Sequence, residues 1–144
     1  MQITVRELAE GDIDEVSRIE AASFSMPWSE KDFHDLLTHS YCCYVVAEED
    51  GKVIGCCGFT DSLHEGNIDN VVVEEAHRGK GVAQTMLREL IARGEDRGIE
   101  AFTLEVRVSN EAAIHVYEKL GFHSVGIRPR FYERPVEDAM IMWR

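Results

Sequence analysis

Two glycines and two cations stand together at Arg78-Gly79-Lys80-Gly81, directly after the β-branched run Val71-Val72-Val73 and directly before an amphipathic segment. A phosphate site needs those residue types in that place. Glycine lets the backbone come close to a ligand, successive N–H groups converge on anionic oxygens, and a helix N-terminus adds roughly half a unit of positive charge. The joint reads as an anion cradle, although a basic glycine loop that merely caps a helix has the same composition. It contains neither G-x-x-x-x-G-K-[ST] nor G-x-G-x-x-G, since position 84 is Gln. ATP and dinucleotide readings therefore fall away. Further on, Glu105, Asn110 and Tyr117 ask for explanation. Glu105 lies in mid-strand on the face opposite Phe102, Leu104 and Val106, which is costly if that face is covered and ordinary if it is wet. Tyr117 follows Ala113 by one helical turn and is either a core residue with a satisfied hydroxyl or an acid.

The elements that must position these residues follow from periodicity. Val82, Met86, Leu87, Leu90 and Ile91 recur at three- and four-residue spacings and predict a helix after the cradle, ending at Gly98. Upstream, Ile3 and Val5 give a short strand, and Asp12-Ile13-Asp14-Glu15 has the form of a capping box for a helix carrying Ile13, Val16 and Ile19. Pro27-Trp28 breaks that helix, and Ser29 starts a second one with Phe33, Leu36 and Leu37 expected inward. Trp28, in the segment Met26-Pro27-Trp28, is either an aromatic wall of a substrate groove or a core residue beneath a helix turn. Tyr41 to Glu48 and Lys52 to Phe59 flank the hairpin signal Glu49-Asp50-Gly51, and a turn around His64-Glu65-Gly66 leads to the Val71 strand. Ala101 to Val106 alternates as a strand, Ser109-Asn110 caps a short helix stopped by Gly121, and Phe122 to Ile127 and Ala139 to Trp143 read as final strands. Arg128 to Asp138 between them reads as a polar loop. The expected architecture is a single α/β domain over residues 1–144, with a mixed, mostly antiparallel sheet flanked by helices.

Composition narrows the function classes. At 144 residues the chain suits one domain with a real core. No apolar run reaches the roughly 20 residues of a membrane span and the N-terminus lacks the pattern of a secretory signal, so a cytoplasmic protein is expected, with no membrane partner. Cys42-Cys43 and Cys56-Cys57 are adjacent pairs without C-x-x-C or zinc spacing and read as small, reduced core residues; no metal is expected. The formal net charge of −12 disfavours nucleic acid and suits a basic partner, while simple solubility explains it equally well.

Arg78, Gly81 and Ala83 match the Arg/Gln-x-x-Gly-x-Gly/Ala signature of the GNAT acetyltransferase superfamily, and Asn110, Ala113, Tyr117, Gly121 and Phe122 match its N-x-x-A-x-x-x-Y-x-x-x-G-F segment. Two motifs in the right order, separated by one helix and one strand, make the resemblance specific. Pro27-Trp28-Ser29, Leu104-Glu105-Val106-Arg107, Arg130-Phe131-Tyr132 and Glu137-Asp138-Ala139 further resemble the RimI-type protein alpha-N-acetyltransferases over nearly the whole chain. The resemblance implies the GNAT fold, of about seven strands and four helices, with acetyl-coenzyme A as cosubstrate. It implies Glu105 as proton acceptor and Tyr117 as proton donor. Val71, Val72, Val73, Gly79, Lys80, Gly81, Val82, Ala83, Gln84 and Asn110, with Arg78 and Tyr117, would contact the cosubstrate. Trp28, Glu105 and Tyr132 would face the acceptor, which in that family is the N-terminal residue of a small-subunit ribosomal protein. Phe131 departs from the family, where many members carry a second Tyr.

The residues suit that chemistry. An ammonium cannot attack a thioester, so a proton must leave it first. An ordinary Glu titrates near ~4.3, so as a base it requires a raised pKa or relay through water. Strand N–H groups near Val71 to Val73 can polarise the thioester carbonyl, and a Tyr hydroxyl can protonate the departing thiolate. An N-terminal amine with pKa ~7.8 is about a quarter neutral at pH ~7.4, whereas lysine at ~10.4 is neutral about one part in a thousand, a difference of roughly 3 kcal/mol. Rival readings are a small-amine or lysine acetyltransferase and a non-catalytic acyl-coenzyme-A sensor.

Overall fold

The computed structural model describes residues 2–24 and 27–144; Met26 of the Met26-Pro27-Trp28 segment lies outside them. In chain order the elements are β1 Thr4–Glu7, α1 Ile13–Ser23, α2 Glu30–Leu36, β2 Cys42–Glu49, β3 Lys52–Ser62, β4 Glu65–Val73, α3 Val82–Asp96, β5 Ala101–Arg107, α4 Glu111–Lys119, β6 His123–Tyr132 and β7 Glu137–Trp143. Short 3-10 turns occupy Glu10–Asp12 and Glu75–His77. The seven strands form one sheet in the order β1-β2-β3-β4-β5-β7-β6. Every neighbouring pair is antiparallel except β4 and β5, which the α3 crossover makes parallel.

Period-two alternation sorts the core into two layers. From β2, Cys43, Val45 and Ala47 join one cluster with Met86, Leu87 and Leu90 of α3, while Tyr44 and Val46 join the other with Ile13, Val16 and Ile19 of α1 and Phe33 of α2. The cysteines obey the same rule, Cys57 on the first side and Cys56 on the second, as free buried thiols. Tyr117 and Leu120 bring α4 to the face that α3 covers.

Several local expectations are corrected. Asp12 does not cap α1 through its side chain; its carboxylate takes two hydrogen bonds from Arg6, at 2.8 and 2.9 Å, and one from the Ala9 N–H at 2.8 Å. A guanidinium fork outcompetes a cap because both partners are charged. Leu37 is exposed, since α2 ends at Leu36 and only Phe33 is fully buried on it. The polar loop expected over Arg128 to Asp138 is mostly strand: β6 runs on to Tyr132, leaving a short turn before β7. An outer strand tolerates Pro129 and the charges because its free edge faces water, and a register shift around Arg130, at φ +51°, absorbs the irregularity.

Two features of β4 shape the site. It pairs with β5 over three residues only, Glu65, Gly66 and Asn67 against Ala101, Phe102 and Thr103. Beyond that rung the parallel strands part, and a cleft opens toward their C-terminal ends. On its other side β4 carries a bulge: Gly58 faces Asp69 and Cys56 faces Val72, so Asn70 and Val71 together oppose Cys57, with Asn70 at φ +56°.

Candidate active site

The parted strands floor a cavity of about 600 Å³ that is open to solvent. It gathers Asp69, Asn70 and Val71 from β4, Glu105 and Arg107 from β5, Asn110 and Tyr117 from the start and middle of α4, and Glu20 and Trp28 from the α1 side. Phe131, Tyr132 and Pro135 close it from the β6–β7 hairpin. Six of the residues singled out in the sequence thus meet: Trp28, Val71, Glu105, Asn110, Tyr117 and Tyr132. Val72 and Val73 are buried in the two opposite cores, so only their backbone is available.

Tyr117 is 7% exposed and stands edge-on to Phe122, centroids 6.0 Å apart. Its hydroxyl has no hydrogen-bond partner among the described residues, and the residue lines the open cavity, so the ring is part of the core while nothing in the protein engages the hydroxyl. Burial pushes its pKa well up, so it holds its proton at neutral pH. Glu105 is held in mid-strand with its side chain 20% exposed and Arg128 at 4.0 Å, the outer limit of an ion pair. Tyr132 lies under the Arg107 guanidinium, 4.4 Å from ring centroid, and burial together with the negative charge of Glu105 pushes it up to about 12. Arg107 also donates to the Pro135 carbonyl at 2.9 Å and to Glu137 at 3.2 Å, pinning the hairpin to β5. Asn110 caps α4, its Oδ1 accepting from the Ala113 N–H at 3.2 Å.

Trp28 packs against the core and also borders the cavity. Its ring packs 5.5 Å from Phe33 and 6.0 Å from Tyr44, and its remaining edge forms a wall of the cavity.

The cradle lies at the C-terminal end of β4, outside the main cavity. Gly79 and Gly81 sit at φ +77° and +81° with open space where a Cβ would be, and Lys80 is exposed. Gly81 starts α3 without any capping side chain, and the first intrahelical bond runs from the Thr85 N–H to the Gly81 carbonyl. The N–H groups of Val82, Ala83 and Gln84 are left without intrahelical acceptors, which suits an anion there. Arg78 is largely committed to structure, donating to the Val73 carbonyl at 3.0 Å and the Ser23 hydroxyl at 2.9 Å. It also lines a second cavity of about 590 Å³ between α1 and the Glu75–His77 turn.

Sequence reasoning missed a buried polar chain beside the cavity. The Tyr44 hydroxyl donates to Asn70 Oδ1 at 3.0 Å, and Asn70 Nδ2 donates to Glu20 Oε1 at 2.6 Å. Glu20 is 1% exposed. The available signal was its position on the apolar stripe of α1, one residue after Ile19.

A cleft at the C-terminal ends of a parallel strand pair is where open α/β sheets commonly take their ligands, and the uncapped helix start beside it suits an anionic one. Residues 13–122 match the model of the acetyltransferase (GNAT) family. The chain is 38% identical over 140 residues to a Bacillus subtilis protein provisionally named a ribosomal protein bS18-alanine N-acetyltransferase, covering 96% of this chain and 93% of that one. It is 33% identical over 141 residues to the ribosomal protein bS18-alanine N-acetyltransferase of Escherichia coli, covering 96% and 95%. The crystal structure of the Escherichia coli ribosomal-protein-S18-alanine N-acetyltransferase superposes with a TM-score of 0.90 at 32% identity, over 99% of this chain and 92% of that one. The chain belongs to the acetyltransferase (GNAT) family, and its enzyme class is that of an acetyl-coenzyme-A-dependent N-acetyltransferase.

Proposed function

We propose that the protein transfers the acetyl group of acetyl-coenzyme A to the N-terminal α-amine of a basic protein, a small-subunit ribosomal protein being the leading acceptor. The observation that carries this reading is the meeting of Glu105 and Tyr117, from β5 and α4, at one open cleft where the Tyr117 hydroxyl has no other partner among the described residues. A binding module has no use for an acid and a base at one opening. The openness of the cleft between Trp28 and the β6–β7 hairpin suits a peptide end better than an enclosed metabolite, and the names of the relatives supply the kind of acceptor.

The uncapped start of α3, with Gly79 to Gln84, fits the pyrophosphate of the cosubstrate, and the Asn110 amide is placed beside the cleft to help hold it. Glu105 accepts the proton that the ammonium must lose. The neutral nitrogen attacks the thioester carbonyl, whose oxygen the β4 backbone N–H groups near Val71 stabilise. A C–N bond forms and the C–S bond breaks, and Tyr117 gives its proton to the thiolate and regains one from solvent. Two protons leave the nitrogen in all: one balances the thiol and one is released. No covalent enzyme intermediate is required, and no cysteine is among the residues that line the cavity.

Thiol release from acetyl-coenzyme A distinguishes the acceptors. A lysine-free peptide with a free N-terminus is expected to be turned over, and the same peptide blocked at its N-terminus and given one internal lysine is not. Turnover of the lysine peptide alone would overturn the acceptor assignment while keeping the enzyme class.

A further inference from the structure

Most buried or half-buried carboxylates here are matched: Asp12 by Arg6, Glu74 by Arg18, Glu137 by Arg107. Asp69 is not. It makes no hydrogen bond or ion pair among the described residues, although it lies on a central strand and lines the cavity. Its place follows from register. The last paired rung of β4 and β5 joins Asn67 to Thr103, so two residues on, past the point where the strands part, Asp69 and Glu105 come to the same face on opposite lips of the cleft. Across the sheet Asp69 is paired with Gly58, which has no side chain and lies against the Tyr44 ring. Burial, and then the charge of Glu105, lift the Asp69 pKa to about 6. A third carboxylate points the same way. Glu20 Oε1 is taken by Asn70, but its buried Oε2 has no well-formed hydrogen bond among the described residues, only the Trp28 backbone N–H acting on the carboxylate, and Glu20 also lines the cavity. Carboxylates from three elements therefore converge on one space in which Arg107 is held by Glu137 and the Pro135 carbonyl and Arg128 reaches Glu105 only at 4.0 Å, so that neither Asp69 nor Glu20 has an ion-pair partner among the described residues, a costly arrangement that a cationic ligand would relieve. A primary ammonium, compact and with three N–H donors, is the matching chemistry.

We propose that Asp69 is a second acceptor-binding carboxylate, holding the substrate ammonium against Glu105 and sharing in its deprotonation. The proposal deepens the acetyl-transfer reading and rests on it. One N–H bond of the ammonium breaks, its proton passes to the Asp69–Glu105 pair, and the nitrogen keeps the electron pair with which it attacks. The pair then carries one proton and one negative charge, so two facing carboxylates never have to be neutralised at once. Glu20, behind them, fixes through Asn70 the bulge that carries Asp69 into the cleft.

The test is steady-state kinetics of wild type, Asp69→Asn and Asp69→Glu on three amines: the free N-terminal peptide, the blocked lysine peptide and spermidine. With whichever amine the wild type acetylates, Asp69→Asn is expected to lower kcat/KM for the amine by roughly tenfold to a hundredfold, mostly through KM, and to leave the KM for acetyl-coenzyme A unchanged. Asp69→Glu, which keeps the charge, is expected to restore most of that loss. Amine kinetics of Asp69→Asn within twofold of wild type would overturn the proposal while leaving the acetyl-transfer reading intact. So would a loss that Asp69→Glu fails to relieve and that is matched in the acetyl-coenzyme A KM, since that is the mark of a structural role. Wild-type turnover of none of the three amines, with coenzyme A bound, would remove both.

Discussion

A carboxylate as buried as Glu20 persists only with hydrogen bonds or with a proton. One oxygen has the Asn70 amide, the other has no well-formed hydrogen bond among the described residues, and burial, outweighing the Asn70 amide and the Trp28 backbone N–H, raises its pKa from 4.5 to about 7. Between those values the folded protein binds a proton that the unfolded chain has released. The resulting stabilisation is complete below the unfolded value and lost as the pH rises through about 7, on the order of 3 kcal/mol at most. Asp69 acts with the same sign but is spent by about pH 6, so of these two carboxylates only Glu20 still contributes from there to pH 8, and the comparison with its own variant separates it from every other group. Glu20→Gln keeps an oxygen for Asn70 and removes the titration. The difference between melting temperatures at pH 6 and 8 is expected to be smaller in the variant than in wild type; an unchanged gap would remove this account. At the same scale, Glu105→Gln and Tyr117→Phe are each expected to lower kcat by roughly a hundredfold to ten-thousandfold while coenzyme A binding, measured by calorimetry, is retained. Full activity in both would strip these residues of their roles.

Among the elements, α3 carries the widest responsibility, since its start forms the cradle and its flank builds the core. Gly81 holds φ +81° with empty space around its missing Cβ, so Gly81→Ala meets backbone strain alone, roughly 1–2 kcal/mol. The expected readout is weaker coenzyme A binding with a small drop in melting temperature; unaltered coenzyme A affinity would separate the cradle from the cosubstrate. Gly94, farther along, answers differently. A Cβ there would come within 2.5 Å of the Phe102 ring and 3.2 Å of Phe59, both buried. Helix preference alone would make alanine about 1 kcal/mol better, but overpacking a fixed aromatic pair costs about 1–3 kcal/mol and prevails. Chemical denaturation of Gly94→Ala is expected to show a net loss of stability, and a gain would mean that the α3–sheet contact yields more readily than its packing indicates.

For the molecule as a whole, a net charge of −12 is opposite in sign to the basic acceptor proposed above. Long-range attraction of that kind is screened over about 8–10 Å at physiological salt and acts on association more than on the bound state. The KM for a basic peptide is therefore expected to rise several-fold between ~50 and ~200 mM salt, with kcat little changed. A neutral peptide bearing the same first residues should show little of this dependence. Equal salt sensitivity for both peptides would leave the charge as a matter of solubility.

The sequence by itself determined whatever depends on neighbours along the chain. The Asp50-Gly51 hairpin, the β5 alternation, the α3 stripe, the Asn110 cap and the two glycine-bearing motifs are all settled within a few residues, and with them the family and the two side chains proposed as acid and base. Tertiary structure alone decided the rest. Nothing in the composition of Arg128 to Asp138 announces a strand, because β6 is set by pairing with β7 and by a free edge that accepts Pro129 and charge. Leu37 looks inward by spacing and is turned out because its helix has already ended. Above all, the parting of β4 from β5 after one short ladder, and the bulge at Asn70, bring Asp69, Glu20 and Glu105 to one opening from positions far apart in the chain. Periodicity tells which face a residue takes, whereas register across a sheet tells what it faces, and register is fixed only when distant strands pair.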